Sequence, residues 1–239
     1  MSEFLEVRGL TKRFRGLIAN DRIDFSLASG ALRCVIGPNG AGKTTFISMI
    51  SGHLEPSAGT IRFKGRDITG LSLVRRARIG ISRKFQTPTV FDNLTVMENL
   101  ELAALGKPGA ATARQSRIEE VIEITRLSNL ARRPAFTLSH GQRQWLEVGL
   151  LLANRAELLL LDEPTAGMTS EETHATAELL HNLSDRFKLT VIIIEHDINF
   201  IRDLRSPVTV LHLGRILMEG TFDEVSRDEQ VRNVYLGTA

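Results

Sequence analysis

Residues 37–45 read GPNGAGKTT, from Gly37 to Thr45, and they are the strongest single indication of the fold. It matches the pattern G-x-x-x-x-G-K-[ST] at every fixed position. The apolar run 32–36 precedes it, and the amphipathic run 46–50 follows it. The pattern therefore predicts a strand, a glycine-rich loop and a helix in that order, which is the context that separates a phosphate-binding loop from an ordinary turn.

The residue types in this loop suit a ligand with several phosphate oxygens. Backbone N–H groups can surround such oxygens only where side chains leave room, which explains the glycines, and the following helix N-terminus adds positive potential. We expect Lys43 to reach the β- and γ-phosphates of ATP, and the Thr44 hydroxyl to ligate Mg²⁺. The expected nucleotide-binding residues of the loop are Gly37, Asn39, Gly40, Ala41, Gly42, Lys43, Thr44 and Thr45.

Composition and charge restrict the class of protein. With 239 residues, 42% of them hydrophobic and 24% charged, the chain is expected to form one large globular α/β domain. A formal net charge of +2 argues against a dedicated nucleic-acid-binding protein. The sequence has no stretch of about 18 apolar residues, so no membrane span is predicted. The first residues do not have the pattern of a signal peptide. A membrane role would therefore need a partner. The one cysteine, Cys34, lies in an apolar run and is predicted to be buried.

Apolar runs without period-two alternation predict the core strands. Such runs are typical of strands buried on both faces of a parallel sheet, and they occupy residues 32–36, 158–161, 191–194 and 208–212. Half-buried strands at 4–8, 22–27 and 60–64 predict a small antiparallel sheet beside the parallel one. Residues 170–187 predict a helix, with Thr169 and Glu172 at the spacing of a capping box.

The stretch 92–155 is predicted to be mostly helical, with a surface loop at 106–109. We expect one domain over 1–239, in which 1–87 and 156–239 form the α/β core and 88–155 form an inserted helical subdomain.

Two acidic residues follow the apolar run at 158–161. Because ligands of open α/β sheets lie at the carboxyl ends of strands, Asp162 is predicted to face Mg²⁺ and Glu163 to accept a proton from the attacking water. The alternative, that one acid only caps the turn at Pro164, is common for an isolated Asp-Glu pair. A complete phosphate loop about 120 residues earlier favours the catalytic interpretation.

Three further segments indicate which class of phosphate-loop protein this is. LSHGQ at 138–142 resembles the LSGGQ signature of ABC ATPases, Phe85-Gln86 resembles their Q-loop, and Glu195-His196-Asp197 resembles their switch-histidine segment. All occur in the ABC order, and the resemblance extends over essentially the whole chain. It implies a P-loop NTPase (RecA-like) core with a mixed sheet, an N-terminal antiparallel β subdomain and an inserted α-helical subdomain.

The resemblance also implies individual roles. Gln86 would contact Mg²⁺ or the attacking water, His196 would hold the γ-phosphate, and Phe14 would stack on adenine, although a lone Phe at this place is as often a core residue. Ser139, Gly141 and Gln142 would bind ATP held by a second subunit. The implied catalytic residues are Lys43, Gln86, Glu163 and His196, and the implied metal ligands are Thr44, Gln86 and Asp162.

Two residues depart from the family pattern. His140 replaces the first glycine of the signature, and Thr169 replaces the common aspartate of the D-loop at 166–169. The sequence leaves open whether the His140 side chain faces nucleotide or solvent.

Within the family, RKFQTPTVF at 83–91 and the pairing of LSHGQ with GMT at 167–169 resemble the ATPases of branched-chain amino-acid and urea (amide) importers, the urea branch in particular. This resemblance implies ATP and Mg²⁺ as cofactors, a second and distinct ATPase subunit, two transmembrane permeases and an external substrate-binding protein. It implies no nucleic-acid partner, and a place on the cytoplasmic face of a prokaryotic inner membrane. The rival interpretations are a lipid or lipopolysaccharide exporter ATPase, a non-transport ABC ATPase, and a module that binds nucleotide without hydrolysing it.

Overall fold

The structure is a computed structural model that describes residues 3–84, 90–106 and 110–236. The predicted Q-loop residue Gln86 lies outside these ranges, as does most of the predicted surface loop at 106–109.

A six-stranded mixed sheet forms the centre of the molecule, in the order β10-β9-β3-β8-β7-β6. The pairs among β3, β6, β7, β8 and β9 are parallel, and β10 is antiparallel to β9. Every residue of β7 and β8 is buried, which confirms the prediction of strands covered on both faces. The strands are β3 (Leu32–Ile36), β6 (Ile81–Arg83), β7 (Leu158–Asp162), β8 (Thr190–Ile194), β9 (Val208–His212) and β10 (Arg215–Gly220).

A second, antiparallel sheet has the order β2-β1-β4-β5. Its strands are β1 (Leu5–Phe14), β2 (Leu17–Leu27), β4 (Ala58–Phe63) and β5 (Arg66–Asp67). The predicted strands at 4–8 and 22–27 were too short, because register shifts interrupt the β1–β2 ladder between Val7 and Leu10 and again further on. A bulge displaces the inward-facing positions and so ends the period-two pattern before the strand itself ends.

Helices cover both faces of the central sheet. Alternate residues of β7 face two hydrophobic cores, one on each side of the sheet. Leu159 and Leu161 belong to the core with helices α3–α7. Leu158 and Leu160 belong to the core with α1 and the antiparallel sheet. Cys34 is buried in the first of these cores, as predicted. The helices are α1 (Lys43–Ser51), α2 (Leu73–Arg78), α3 (Val96–Ala104), α4 (Ala111–Ile124), α5 (His140–Ala153), α6 (Ser170–Phe187), α7 (Ile198–Asp203), α8 (Phe222–Arg227) and α9 (Glu229–Leu236).

Several short elements were missed by the sequence patterns, among them α2, β6 and the β10-α8-α9 segment near the C-terminus. Each has ten residues or fewer, which is too short to display a hydrophobic period. In the ranges that the structure describes, no helix has the length and apolar character of a membrane span.

Candidate active site

The phosphate loop connects the end of β3 to the start of α1, and its backbone requires glycine at two positions. Gly37 has φ +152° and Gly42 has φ +98°. A Cβ on Gly37 would lie 2.2 Å from the carbonyl oxygen of Leu211, and one on Gly42 would lie 2.4 Å from that of Ala19. The glycines therefore let the loop pass directly against two neighbouring strands.

Lys43 is the first residue of α1, and its side chain curls back over the loop. Its Nζ donates to the carbonyl oxygens of Gly37 at 2.6 Å and Pro38 at 3.0 Å. Partial burial lowers the pKa of Lys43, against the opposing effect of the Glu163 and Asp162 carboxylates. A cation thus lies inside the loop at the N-terminus of a helix, where an anion is favoured.

Asp162, at the end of β7, is a buried carboxylate with a cationic partner. Its side chain is 4% exposed, and its Oδ2 lies 3.1 Å from Nη2 of Arg83. Nη1 of Arg83 donates to the Ser48 hydroxyl of α1 at 2.7 Å. The sequence reasoning missed Arg83, because the two side chains come from strands far apart along the chain.

Glu163 has a backbone conformation that is uncommon for a residue with a side chain, with φ +49°. Its N–H donates to the Ile194 carbonyl at 2.9 Å, which anchors it to β8. The Glu163 side chain is 41% exposed, and its Oε1 lies 3.5 Å from Nδ1 of His196. Residues held in the left-handed region store strain and concentrate at functional sites.

A cavity of about 480 Å³ brings most of these residues together. It is lined by Phe14, Leu17, Ile18, Ala19, Asn39, Gly40, Ala41, Gly42, Lys43, Thr44, Thr45, Asp162, Glu163, Ile194, Leu213 and Gly214. Phe14 is 41% exposed, so it belongs to the wall of the cavity rather than to a core. Leu17 and Ile18 of β2 and Leu213 of the β9–β10 turn extend this apolar wall. The sequence did not predict them, because a single exposed aliphatic residue carries no sequence signal.

Other predicted residues lie outside this cavity. His196 is an exposed side chain beside it, and Gly37, the first residue of the loop, does not line it. Ser139, Gly141 and Gln142 lie at the N-terminus of α5 and do not line it.

The signature segment begins α5 with a reciprocal cap. The Ser139 hydroxyl accepts from the Gln142 N–H at 3.2 Å, and Gln142 Oε1 accepts from the Ser139 N–H at 3.0 Å. Nε2 of His140 donates to the carbonyl oxygen of Ala166 at 3.0 Å. His140 therefore faces the D-loop of its own chain.

Glu195 is a buried acid for which the sequence predicts no role of its own. Glu195 is 2% exposed. Its Oε1 accepts from the Thr165 N–H at 3.1 Å, and its Oε2 accepts from the His196 N–H at 2.9 Å. It fixes the start of the D-loop to the backbone of the switch segment. A charged residue directly after a buried strand was the available signal.

The donor set fits a nucleoside triphosphate with a divalent cation. The loop offers open N–H groups and one ammonium group, and the apolar wall with Phe14 offers a face for a base. The Thr44 hydroxyl and the Asp162 carboxylate border the same cavity, and hard oxygen ligands of this kind suit Mg²⁺.

Comparison with known proteins gives the family. The ABC transporter family matches residues 20–166. The chain belongs to the ABC transporter ATPases. A second family, the branched-chain amino acid ATP-binding cassette transporters, matches residues 215–239.

Relatives match over nearly their whole length. The chain is 34% identical to the high-affinity branched-chain amino acid transport ATP-binding protein BraF of Pseudomonas aeruginosa, and 32% identical to LivG of Escherichia coli (strain K12), over 98% of both chains in each case. It is 32% identical to the lipopolysaccharide export system ATP-binding protein LptB of Acidithiobacillus ferridurans, over 99% of this chain and 98% of that protein.

Solved structures agree with this assignment. An ATP-binding cassette of an ABC transporter in its ADP conformation has a TM-score of 0.89 at 28% identity, with full coverage of both chains. A nucleotide-free ATP-binding cassette has a TM-score of 0.88 at 29% identity, over 99% of this chain and 100% of that one. The predicted P-loop NTPase core is thus confirmed. As a member of the ABC transporter ATPases, the protein binds nucleotide and couples ATP hydrolysis to transport.

Proposed function

We propose that this ATPase energises uptake of branched-chain amino acids, or of urea and short amides, through separate membrane permeases. The observation that carries the proposal is one cavity holding the phosphate loop, Asp162 and Glu163, in a chain whose C-terminal residues 215–239 match the branched-chain amino acid cassettes. The protein would act at the cytoplasmic face of a prokaryotic inner membrane.

Hydrolysis would depend on Glu163 as the general base. Its carboxylate borders the cavity, so it can accept the proton of a water that attacks the γ-phosphate. Lys43 and the loop N–H groups would stabilise the developing charge. His196 lies within 3.5 Å of Glu163 and would hold the γ-phosphate, while Gln86 would contact the water or the metal. Mg²⁺, when bound by Thr44, Asp162 and Gln86, would neutralise phosphate charge.

The nucleotide would lie between two subunits. Ser139, Gly141 and Gln142 do not line the cavity of their own chain, so they would serve a nucleotide brought by another subunit. We propose that this second subunit is a related but distinct ATPase. ATP would then join the two subunits, and its hydrolysis would let them part.

The helical subdomain, proposed to comprise residues 88–155, would contact the permeases. Exposed large apolar side chains occur there at Phe91, Leu102, Leu105 and Phe136. Such side chains mark protein–protein contacts when they cluster, and the N–H of Phe136 donates to the carbonyl of Asp92 at 3.1 Å, which brings two of the four together.

None of the residues of the cavity would touch the transported molecule. The lipopolysaccharide exporter remains the rival, because its ATPase is as similar as LivG in identity and length. The match at 215–239 favours the importer.

Reconstitution of the co-purified complex in lipid vesicles tests the proposal. ATP inside, with the external binding protein added, should drive uptake of radiolabelled leucine, urea or acetamide, and a complex carrying Glu163→Gln should take up none. Release of lipopolysaccharide from the vesicles without uptake of the three small molecules would contradict the importer proposal.

A further inference from the structure

Glu172, in the first turn of α6, joins two segments through its two carboxylate oxygens. Oε2 accepts from the N–H of Thr169 at 3.1 Å and from its hydroxyl at 3.2 Å. Oε1 accepts from the hydroxyl of Ser139 at 3.2 Å. The carboxylate thus connects the end of the D-loop with Ser139, the second residue of the signature.

Gly141 lies against this carboxylate. It is the second residue of α5, so its N–H has no partner within the helix, and the Ser139 hydroxyl is engaged with the N–H of Gln142 instead. Oε1 of Glu172 lies 2.5 Å from the place where a Cβ on Gly141 would be. The pKa of Glu172 is lowered first by the Thr169 N–H, with smaller contributions that include the Ser139 hydroxyl and the Gly141 N–H.

Capping alone does not explain this arrangement. The chain has closely similar capping boxes at Thr95–Glu98 and Thr221–Glu224, where the glutamate accepts from the threonine N–H at 2.7 Å and from its hydroxyl at 2.8 Å. The corresponding distances at Glu172 are longer, 3.1 and 3.2 Å. Its second oxygen lies instead at the N-terminus of α5, where an oxyanion is stabilised by the helix dipole.

We propose that Glu172 is a positioning residue, which holds Ser139 and Gly141 within their own subunit and must release them when the phosphate of the partner subunit's ATP arrives. This inference rests on the proposed function, in which Ser139 and Gly141 bind that phosphate. Two anions cannot share the same donors, and like charges in contact are strongly unfavourable. Glu172 therefore opposes pairing until ATP outcompetes it.

Glu172→Gln tests the charge without removing the cap, because glutamine also serves at the third position of a capping box, as Gln142 does in α5. Glu98→Gln and Glu224→Gln make the same change in the two matched boxes. All are made in the full chain carrying Glu163→Gln, so that ATP is not consumed.

The first readout is the ATP concentration at which half of the chain is paired with its partner ATPase. It is measured by sedimentation velocity with Mg²⁺. We expect Glu172→Gln to lower it at least about threefold, and the two control variants to leave it unchanged. An unchanged or higher midpoint for Glu172→Gln would overturn the proposal.

The second readout does not require pairing. Amide hydrogen exchange of the segment 138–143 is followed in the single subunit with and without inorganic phosphate. Phosphate should slow exchange in Glu172→Gln and leave the Glu172 parent unchanged. Equal protection of both proteins, or protection of neither, would overturn the proposal even where no pairing is observed.

Nucleotide binding at the phosphate loop separates this inference from the proposed function. A wild-type chain that binds and hydrolyses ATP, with both readouts unmoved in Glu172→Gln, would refute only the role of Glu172. A wild-type chain without measurable ATP affinity would refute the proposed function itself.

Discussion

At the scale of single residues, the cavity depends on backbone conformations that most sequences avoid. Gly37 and Gly42 approach neighbouring carbonyl groups more closely than any side chain permits. Glu163 has a left-handed conformation at the position proposed for the general base, a strain that costs about 1–3 kcal/mol in general. The hydrogen bond from its N–H to Ile194 helps to hold this conformation.

Replacing Glu163 by glutamine should separate binding from chemistry. The change keeps the shape of the side chain but removes the basic oxygen, so ATP affinity should stay within about twofold while turnover falls at least about 100-fold. Fluorescent-nucleotide binding and steady-state phosphate release measure the two quantities. Glu171→Gln, an exposed residue on α6, is the control. Turnover at the wild-type rate in Glu163→Gln would refute the assignment of the base.

Gly42→Ala should damage the loop through backbone geometry. Its φ is +98° and the new Cβ would lie 2.4 Å from the Ala19 oxygen, so both strain and a clash oppose the native loop. We expect at least about tenfold weaker nucleotide binding by calorimetry, a loss of about 1.4 kcal/mol. Gly70→Ala is the matched control, because its φ is not in the left-handed region and the added Cβ has open space. Equal affinities in the two variants would contradict the argument.

At the scale of elements, buried ion pairs join parts of the molecule that are distant in sequence. Lys84 follows β6, Glu147 lies on α5, both side chains are 6% exposed, and their N–O distance is 3.3 Å. The pair thus ties the end of an edge strand to the helix that begins with the signature.

Lys84→Met should leave the Glu147 carboxylate buried without its partner, which costs about 3–5 kcal/mol when such a pair is broken. Urea unfolding measures the free energy of unfolding. The double variant with Glu147→Leu should recover most of the loss, because two apolar residues need no charge compensation. A single variant as stable as the parent would show that the pair contributes nothing.

The contact between α6 and α7 predicts a dependence on pH. Nδ1 of His174 lies 3.0 Å from Oδ2 of Asp203. The hydrogen bond and the charge attraction from Asp203 raise the pKa of His174 above its usual value. Glu178 adds to this effect and Arg205 opposes it. A raised pKa stabilises the folded state below the unfolded pKa of about 6.5, and this contribution disappears as pH rises through the folded pKa.

The stability difference between the wild type and His174→Gln should therefore be larger at pH 6 than at pH 8.5. Thermal unfolding at both values measures it, and Asp203→Asn should remove the same pH dependence. A difference that grows with rising pH would have the wrong sign for this account.

Several strands and helices were predictable from the sequence, and there are physical reasons for the features that were missed. The strands Leu32–Ile36 and Val208–His212 and the helix Ser170–Phe187 have the predicted bounds, since buried runs and a capping box are local signals. The antiparallel strands were predicted too short because bulges at Val7–Leu10 and beyond break their alternation. Arg83 and Lys84 gave no signal, because their partners Asp162 and Glu147 are brought to them only by the fold.

At the scale of the whole molecule, the residues proposed to bind nucleotide lie in two places. The phosphate loop, Asp162 and Glu163 share one cavity, whereas the signature residues lie on α5 outside it. The sequence order of the motifs predicted this division only through the family resemblance, since no local pattern states which subunit a residue serves.

ATP should therefore bring two subunits together. In sedimentation velocity, Glu163→Gln with Mg²⁺ and ATP should sediment as a pair with its partner ATPase, and the same mixture with ADP should contain single subunits. Ser139→Ala in the partner-facing signature should weaken the pair. Pairing that is equally strong with ADP would contradict the role of the γ-phosphate.

The claim on which the account depends is that a triphosphate is bound at residues 37–45, and Lys43→Ala tests it most directly. ATP affinity and ATPase rate are measured for the complex with its permeases, with wild type and Lys43→Ala side by side. The account predicts a loss of at least about 10-fold in affinity and no measurable turnover. Unchanged affinity and turnover in Lys43→Ala would contradict it.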